Sequence, residues 1–395
     1  MELSNNMEQS NNYIVCHYAE IALKGRNRLF FENKLRENIK KSLGPQTFEW
    51  VRLFRGRIII KVLLKTTAQQ KEIEKSLKRV FGIANFSFAK QAPLDLEIIK
   101  ETALELIEIK KGKTFRIEAS RDNKAFALNS QKINETVGEF IIEKTDKKVK
   151  LENPSITCFI EILQDNAYLY TKKIDGPGGM PVSSAGKVVS LISGGIDSPV
   201  ASYLMMKRGA NCVFVSFHSY PYTDEQSLKK IEEIVKILNQ FQFSSTLYLV
   251  PFADIQKEIM LKAPEQFRII LYRRMMIRIS QEIAKLENAQ ALITGESLAQ
   301  VASQTLENMS VIDEVANVPV FRPLIGMDKE EIINIAKNIG TFKTSILPHQ
   351  DCCVRFMPNN PATRASLRDI KEAEKNLDIQ KMIKIAITVK EIKTF

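Results

Sequence analysis

The chain has 395 residues, 44% hydrophobic and 26% charged, with 57 Lys plus Arg against 46 Asp plus Glu. That is room for two to four globular domains rather than a disordered chain, and no apolar run approaches the ~18 residues of a membrane span. The polar opening, with Glu2 and Glu8, excludes a secretory signal and makes the cytoplasm the default location.

Five cysteines and three histidines, without a Cys-x-x-Cys, give neither a disulfide framework nor a structural zinc site. The basic excess is uneven: residues 1–172 carry 30 basic and 22 acidic side chains, residues 173–395 carry 27 and 24. A basic front half suits a polyanion, nucleic acid before membrane.

In chain order, the front half predicts a strand over 13–18 and a helix over 28–43, stopped by Gly44-Pro45. A hairpin over 48–54 and 57–64 turns at Arg55-Gly56, and a helix over 68–80 and a strand over 83–89 follow. This β-α-β-β-α-β order is ferredoxin-like. A second small α/β module follows: helix 94–109, strand 114–119, helix 129–143, strands 155–163 and 167–172. Cys16 and Cys158, like Cys212 further on, fall in strands and read as core.

Gly and Pro crowd residues 175–184, which reads as a linker. Beyond it, strands over 187–192, 211–217, 245–250 and 291–294 alternate with helices over 199–208, 224–238 and 265–286. That alternation predicts a parallel, doubly wound sheet with its ligand at the carboxyl ends of the strands.

The string Ser193-Gly194-Gly195-Ile196-Asp197-Ser198-Pro199 lies between the first of these strands and its helix. Two glycines let backbone amides approach an anion, the helix N-terminus adds partial positive charge, and the two serines add hydroxyls. Asp197 would repel a bare phosphate and makes better sense holding a magnesium ion or a donor. Arg273-Arg274 on the long helix puts guanidinium groups within reach of phosphates. The small polar run from Thr294 to Thr305 suits a nucleotide pocket; the plainer alternative is a capped helix start, with Ser297 as the cap.

The Ser-Gly-Gly-x-Asp-Ser string resembles the PP-loop of ATP pyrophosphatases, which split ATP into AMP and pyrophosphate and adenylate a substrate oxygen. With the opening His17-Tyr18-Ala19-Glu20-Ile21-Ala22-Leu23-Lys24-Gly25-Arg26-Asn27-Arg28, nearly the whole chain resembles the tRNA 4-thiouridine synthetase family, ThiI. The family more often has Gly at the position of Ala19. The resemblance implies an α/β multidomain chain. It would hold a ferredoxin-like domain over 1–67 (its last helix and strand running to about 90), a THUMP RNA-binding domain over 68–172, a linker over 173–186 and a PP-loop domain over 187–395. It places ATP contacts, besides the loop residues Ser193, Gly194, Gly195, Asp197 and Ser198, at Leu191, Ile192, Ser216, Phe217, Arg273, Gly295 and Gln304. Ser216 stands where relatives often have His.

Asp351-Cys352-Cys353-Val354-Arg355 follows Pro348. A thiolate can hold sulfane sulfur as a persulfide; Arg355 and His349 would lower a thiol pKa, and Asp351 would oppose that. The pair by itself also reads as two small buried hydrophobes. The family's catalytic cysteine aligns best with Cys353, with Cys352 as a partner. Some relatives carry an appended rhodanese domain, and too few residues remain here for one. Sulfur is therefore expected from a donor protein directly, another carrier, or both cysteines acting together, and a contribution to the thiamine thiazole is not expected.

Arg52, Arg55 and Arg57 flank the hairpin, and Lys110, Lys111, Lys113, Arg121 and Lys124 cluster in the second module, as phosphate-neutralising groups would. The family resemblance implies ATP with Mg2+, tRNA gripped at its acceptor end, uridine 8 as target, a cysteine desulfurase as donor, and a homodimer as one possible assembly. Two rivals stand beside this reading. A PP-loop ligase using an amine would need no thiol pair. An RNA-binding protein with a vestigial nucleotide fold would need no intact Ser-Gly-Gly-Ile-Asp-Ser string.

Overall fold

A computed structural model describes residues 12–220, 222, 225–348, 358 and 360–395, and it divides into two compact units, one ending at Pro181 and one beginning at Val182. In the first, β1 (Tyr13–His17) leads into α1 (Arg28–Leu43), which Gly44 ends at φ 77°. The hairpin β2 (Phe48–Phe54) and β3 (Arg57–Val62) turns at Gly56, φ 82°. Then come α2 (Thr67–Leu77), capped by the Thr66 side chain, and β4 (Asn85–Pro93). Next are α3 (Leu96–Glu108), capped by Asp95, β5 (Thr114–Arg121) and α4 (Ser130–Lys144), capped by Asn129. Four strands close the unit: β6 (Lys148–Val149), β7 (Ile156–Ile162), β8 (Asn166–Tyr170) and β9 (Ile174–Asp175).

The strands form one sheet in the order β2-β3-β1-β4-β8-β7-β5-β6, with β9 on β4. β4 serves both modules: Asn85 to Ala89 pair with β1, and Lys90 to Pro93 pair with β8. The second module buries Ile99, Ala103 and Leu106 of α3 with Ile133, Val137 and Ile141 of α4 against Phe115 and Ile117 of β5, the helical and strand periods read in the sequence. The Gly/Pro stretch is less loose than its composition predicts. Asp175 pairs with Asn85, and the amides of Gly176 and Gly178 donate to Ala84 and Ile83 at 2.9 Å. A Cβ on Gly176 would stand 2.3 Å from the Ile83 carbonyl oxygen, so only glycine allows that approach.

The second unit begins with β10 (Lys187–Leu191), α5 (Asp197–Lys207), β11 (Asn211–His218), α6 (Glu225–Gln242) and β12 (Thr246–Pro251). It continues with α7 (Ala253–Lys262), α8 (Arg268–Glu287), β13 (Leu292–Ile293), α9 (Leu306–Asp313) and β14 (Val320–Phe321). The last elements are α10 (Lys329–Ile339), α11 (Phe342–Ser345), α12 (Leu367–Glu374), α13 (Ile379–Val389) and β15 (Glu391–Thr394).

Their sheet runs β14-β13-β10-β11-β12-β15, parallel except for β15, which adds antiparallel to β12. Alternate residues of β11 serve opposite faces. Val213, Val215 and Phe217 join the core built on α8, whereas the Cys212 thiol lies 3.8 Å from the Ser202 carbonyl of α5. One expectation shifts: residues 265–267 form a 3-10 turn ahead of α8. Of the two readings of the run after β13, the helix start at Ser297 is absent, and the Ser297 hydroxyl donates to the Met327 carbonyl at 3.0 Å.

Candidate active site

α5 starts at Asp197, so the glycine turn between β10 and that helix is only five residues long. Its shape is held from within. The Ser193 amide donates to Ser198 Oγ at 2.9 Å, and the Gly195 amide reaches Ser193 Oγ at 3.3 Å. Gly295, just past β13, lies against the same helix start, where a Cβ would stand 2.6 Å from the Ser198 amide nitrogen. Three carboxyl strand ends thus converge, those of β10, β11 and β13, as a doubly wound sheet dictates.

They enclose a cavity of about 430 Å³, and all the residues assigned to ATP from the sequence line it, from Leu191 and Ile192 through the glycine turn, Ser216, Phe217 and Arg273 to Gly295 and Gln304. Two polar atoms in its wall, Ser216 Oγ and Gln304 Oε1, are buried without a hydrogen-bond partner. Each such orphan costs about 1–3 kcal/mol, which a ligand with matching polar edges would recover. Apolar walls from Ile192, Phe217 and Met276 beside these few polar groups suit a nucleoside, and the glycine turn at the start of α5 suits its phosphates.

The electrostatics are sharply divided. Burial pushes His218 below the ordinary imidazole pKa, with Glu391 opposing, and its Nδ1 accepts the Tyr220 amide at 3.4 Å, so it is neutral at pH 7. The cationic side chains among the described lining residues are then Lys230 and Arg273. Asp197 Oδ1 accepts from Lys329 Nζ at 2.6 Å and Oδ2 from Gln300 Nε2 at 3.1 Å. Nothing in the sequence singled out Lys329. The Asp328/Glu331 capping box that fixes the start of α10 is legible, but its 132-residue jump back to Asp197 is not. Glu296 is tied to Thr294 at 2.8 Å and to Arg322 at 2.7 Å, and so belongs to the scaffold.

Arg274 corrects an expectation. Adjacent side chains on a helix diverge by about 100°, and while Arg273 lines the cavity, Arg274 is 1% exposed. Its guanidinium bonds Glu374 at 2.9 and 3.0 Å, Glu314 at 3.0 Å and the Val311 carbonyl. It pins α8 to α9 and α12 and does not face phosphates.

Cys352 and Cys353, with His349, Asp351 and Arg355, lie outside the described residues. The other three cysteines are buried. Desolvation pushes Cys158 up to about 12 and Cys16 and Cys212 higher still, which leaves these thiols protonated and inert.

In the first unit, Arg52, Arg55, Lys110, Lys111, Lys113 and Lys124 are exposed, with the Arg52 guanidinium 4.5 Å over the Trp50 ring. Arg57 and Arg121 are instead engaged within the protein. Arg57 pairs with Glu161 at 2.9 Å, and Arg121 donates to the carbonyls of Phe126 and Leu128 at 2.8 and 3.1 Å. Among the described residues, no helix is long and apolar enough to cross a membrane, and no cluster of three metal-ligating side chains occurs.

Comparison with known proteins agrees with this layout. The family model described as "Thiamine biosynthesis protein (ThiI)" matches residues 183–379, the ThiI ferredoxin-like domain matches 13–87 and the THUMP domain 94–172. A "Probable tRNA sulfurtransferase" of Caldanaerobacter subterraneus is 44% identical over 374 residues, 94% of this chain and 96% of that protein. The chain belongs to the ThiI family. A second "Probable tRNA sulfurtransferase", of Moorella thermoacetica, is 41% identical over 382 residues, 96% of this ThiI chain and 97% of that one. Among solved structures, a 4-thiouridine synthetase in complex with RNA and ATP superposes with a TM-score of 0.88 at 36% identity, covering 97% of this chain and 99% of that one. PH1313 from Pyrococcus horikoshii superposes at 0.65 with 28% identity, covering 83% and 99%.

Proposed function

We propose that this ThiI chain is an ATP-dependent tRNA sulfurtransferase that converts a uridine, by family resemblance uridine 8, to 4-thiouridine. The observation carrying the proposal is the 430 Å³ cavity whose wall holds the glycine turn together with the unpartnered Ser216 and Gln304 atoms. The relative solved with RNA and ATP supports the same pairing of substrates.

ATP seats its nucleoside against Phe217, Ser216 and Gln304 and its phosphates on the amides of Gly194 and Gly195, with Arg273 as a counter-charge. The uracil O4 attacks the α-phosphorus; the bond to the bridging oxygen breaks and pyrophosphate leaves. O4 is now part of a phosphoester and can depart with AMP. The terminal sulfur of a persulfide on Cys353 bonds to C4 and AMP departs; a second thiol then attacks the Cys353 sulfur, forming a disulfide with it as the S–S bond breaks and the outer sulfur stays on the base. A cysteine desulfurase is the proposed source of that sulfur.

The residues present fit magnesium carried on the phosphates. Such an ion takes one or two protein carboxylates, and Asp197, now held by Lys329 and Gln300, is the carboxylate at the turn. Bound there, it would neutralise charge on the departing pyrophosphate. Lys329, within 2.6 Å of Asp197, would hold that carboxylate in place.

Thiolation of unmodified tRNA with ATP, magnesium and a desulfurase as persulfide donor tests the proposal. The wild type makes 4-thiouridine, Cys353→Ser makes none while still releasing pyrophosphate, and the three buried cysteines tolerate serine. Full-rate thiolation by Cys353→Ser overturns the cysteine assignment.

A further inference from the structure

The phosphate turn is tied to a distant stretch of chain that the family motifs do not mention. Lys230, on α6, runs its stem along Gly194, where an added Cβ would meet Lys230 Cδ at 3.2 Å, Cε at 3.3 Å and Nζ at 3.6 Å. The ammonium therefore sits beside Gly194 in the turn proposed to hold phosphate, and Lys230 lines the cavity. The same ammonium donates to the carbonyls of Ser345 and Leu347, both at 2.9 Å. Ser345 closes the loop by donating its hydroxyl to the Gly195 carbonyl at 3.2 Å. α11 and the residues after it are thus fastened to the phosphate turn twice, and from Leu347 the chain needs only five residues to reach Cys352.

We propose that Lys230 is a positioning residue that couples nucleotide occupancy to the peptide feeding the cysteine pair. An ammonium is a multiple donor that several acceptors can share. A phosphate oxygen is a charge-assisted acceptor, stronger than a carbonyl, and joining the acceptors around Nζ it holds the ammonium at the turn with the two carbonyls still within its reach. A bound triphosphate then fixes the ammonium, and the ammonium fixes the Ser345 and Leu347 carbonyls. The coupling is reciprocal: a well-placed α11 tightens ATP, and ATP orders the end of α11. The consequence for the reaction is order of events, with the stretch from Ser345 to Leu347 held more firmly once the activating nucleotide is in place. The inference rests on the nucleotide reading of the cavity.

The test pairs calorimetry with amide exchange, using a non-hydrolysable ATP analogue on the full chain. The amides of Ser345, Ile346 and Leu347 bond to Thr341, Phe342 and Thr344 and report on this segment. In the wild type the analogue slows their exchange. Lys230→Met weakens the analogue about tenfold, within the usual range of coupling, and abolishes that slowing, while exchange in α8 stays native. Lys230→Arg restores much of both, because it keeps charge and reach. A Lys230→Met chain that binds as well as wild type, or still shows the slowing, overturns the inference alone. A wild type that takes up no analogue overturns the proposed function and this inference with it.

Discussion

Each unit buries a charged or polar cluster, and the two clusters are built to opposite ends. In the first unit Glu161, 4% exposed, accepts from Tyr170 OH at 2.6 Å and from His17 Nε2 at 2.9 Å, and its other oxygen forms an ion pair with Arg57 at 2.9 Å. His17 Nδ1 meets Asn85 Oδ1 at 3.0 Å. Opposite charges here face one another across β1, β3, β4, β7 and β8, so the cluster is structural, although the Arg57–Glu161 contact is an ion pair without hydrogen-bond geometry and Arg57 Nε has no acceptor. In the second unit, Ser216 Oγ and Gln304 Oε1 face a cavity with no partner. Buried polarity left unanswered does not mark a site by itself either, since Ser87 Oγ and Ser280 Oγ are equally without a partner; what distinguishes Ser216 and Gln304 is that their orphaned atoms line a cavity.

The largest effect that separates the two is expected at Gly295. Gly295→Ala drives a methyl into the backbone of Ser198 and deforms the phosphate turn. Pyrophosphate release should fall by about a hundredfold or more, the scale of losing a preorganised anion site, with RNA binding intact. Next is the ion cluster behind the cavity. Burial raises the pKa of Glu374, but the hydrogen bonds of Arg278 and Arg274 outweigh it and hold the carboxyl below its ordinary value. Its contribution to stability is full above the unfolded value and is lost as pH falls through the folded one. Glu374→Gln should cost about 3–5 kcal/mol at pH 7 in urea unfolding, because Arg278 loses its counter-ion and Arg274 keeps only Glu314, and should flatten the acid limb of stability.

Glu161→Gln sharpens the contrast from the other side. Burial again opposes ionisation and the hydrogen bond from His17 leads the interactions that overcome it, so its stabilisation too is present above the unfolded carboxyl value and lost in acid. The substitution should destabilise the first unit by about 1–3 kcal/mol and leave nucleotide affinity unchanged. The smallest effect is at the exposed cations. Replacing Lys111, Lys113 or Lys124 by Ala should weaken RNA binding modestly. The slope of log affinity against log salt should become shallower by about one for each RNA phosphate left unneutralised, with ATP-only measurements unmoved. Arg121→Ala should instead act through stability, since its guanidinium caps the carbonyls of Phe126 and Leu128.

The frame of the molecule was legible wherever local signals were strong. Residues 28–43 form α1 because a helical apolar stripe runs into Gly44-Pro45, and the hairpin turns at Gly56 because its φ needs glycine. The nucleotide wall was legible because the glycine turn sits between strand and helix, and the family resemblance extended it to Ser216 and Gln304. What stayed hidden depends on long-range packing. β15, four residues with little apolar content, becomes a strand only by adding to β12. Arg273 and Arg274 are indistinguishable in sequence and diverge only by helical phase. Lys230 and Lys329 reach the phosphate turn from α6 and α10, approaches that no local spacing encodes.

The central claim is that the cavity turns a uracil carbonyl oxygen into part of a leaving phosphoester. Unmodified tRNA carrying oxygen-18 at O4 of the target uridine tests it in a single turnover with ATP and a persulfide donor. The account predicts the heavy oxygen in the phosphate of AMP, with none in pyrophosphate. Heavy oxygen released into water or inorganic phosphate, with AMP unlabelled, would contradict it.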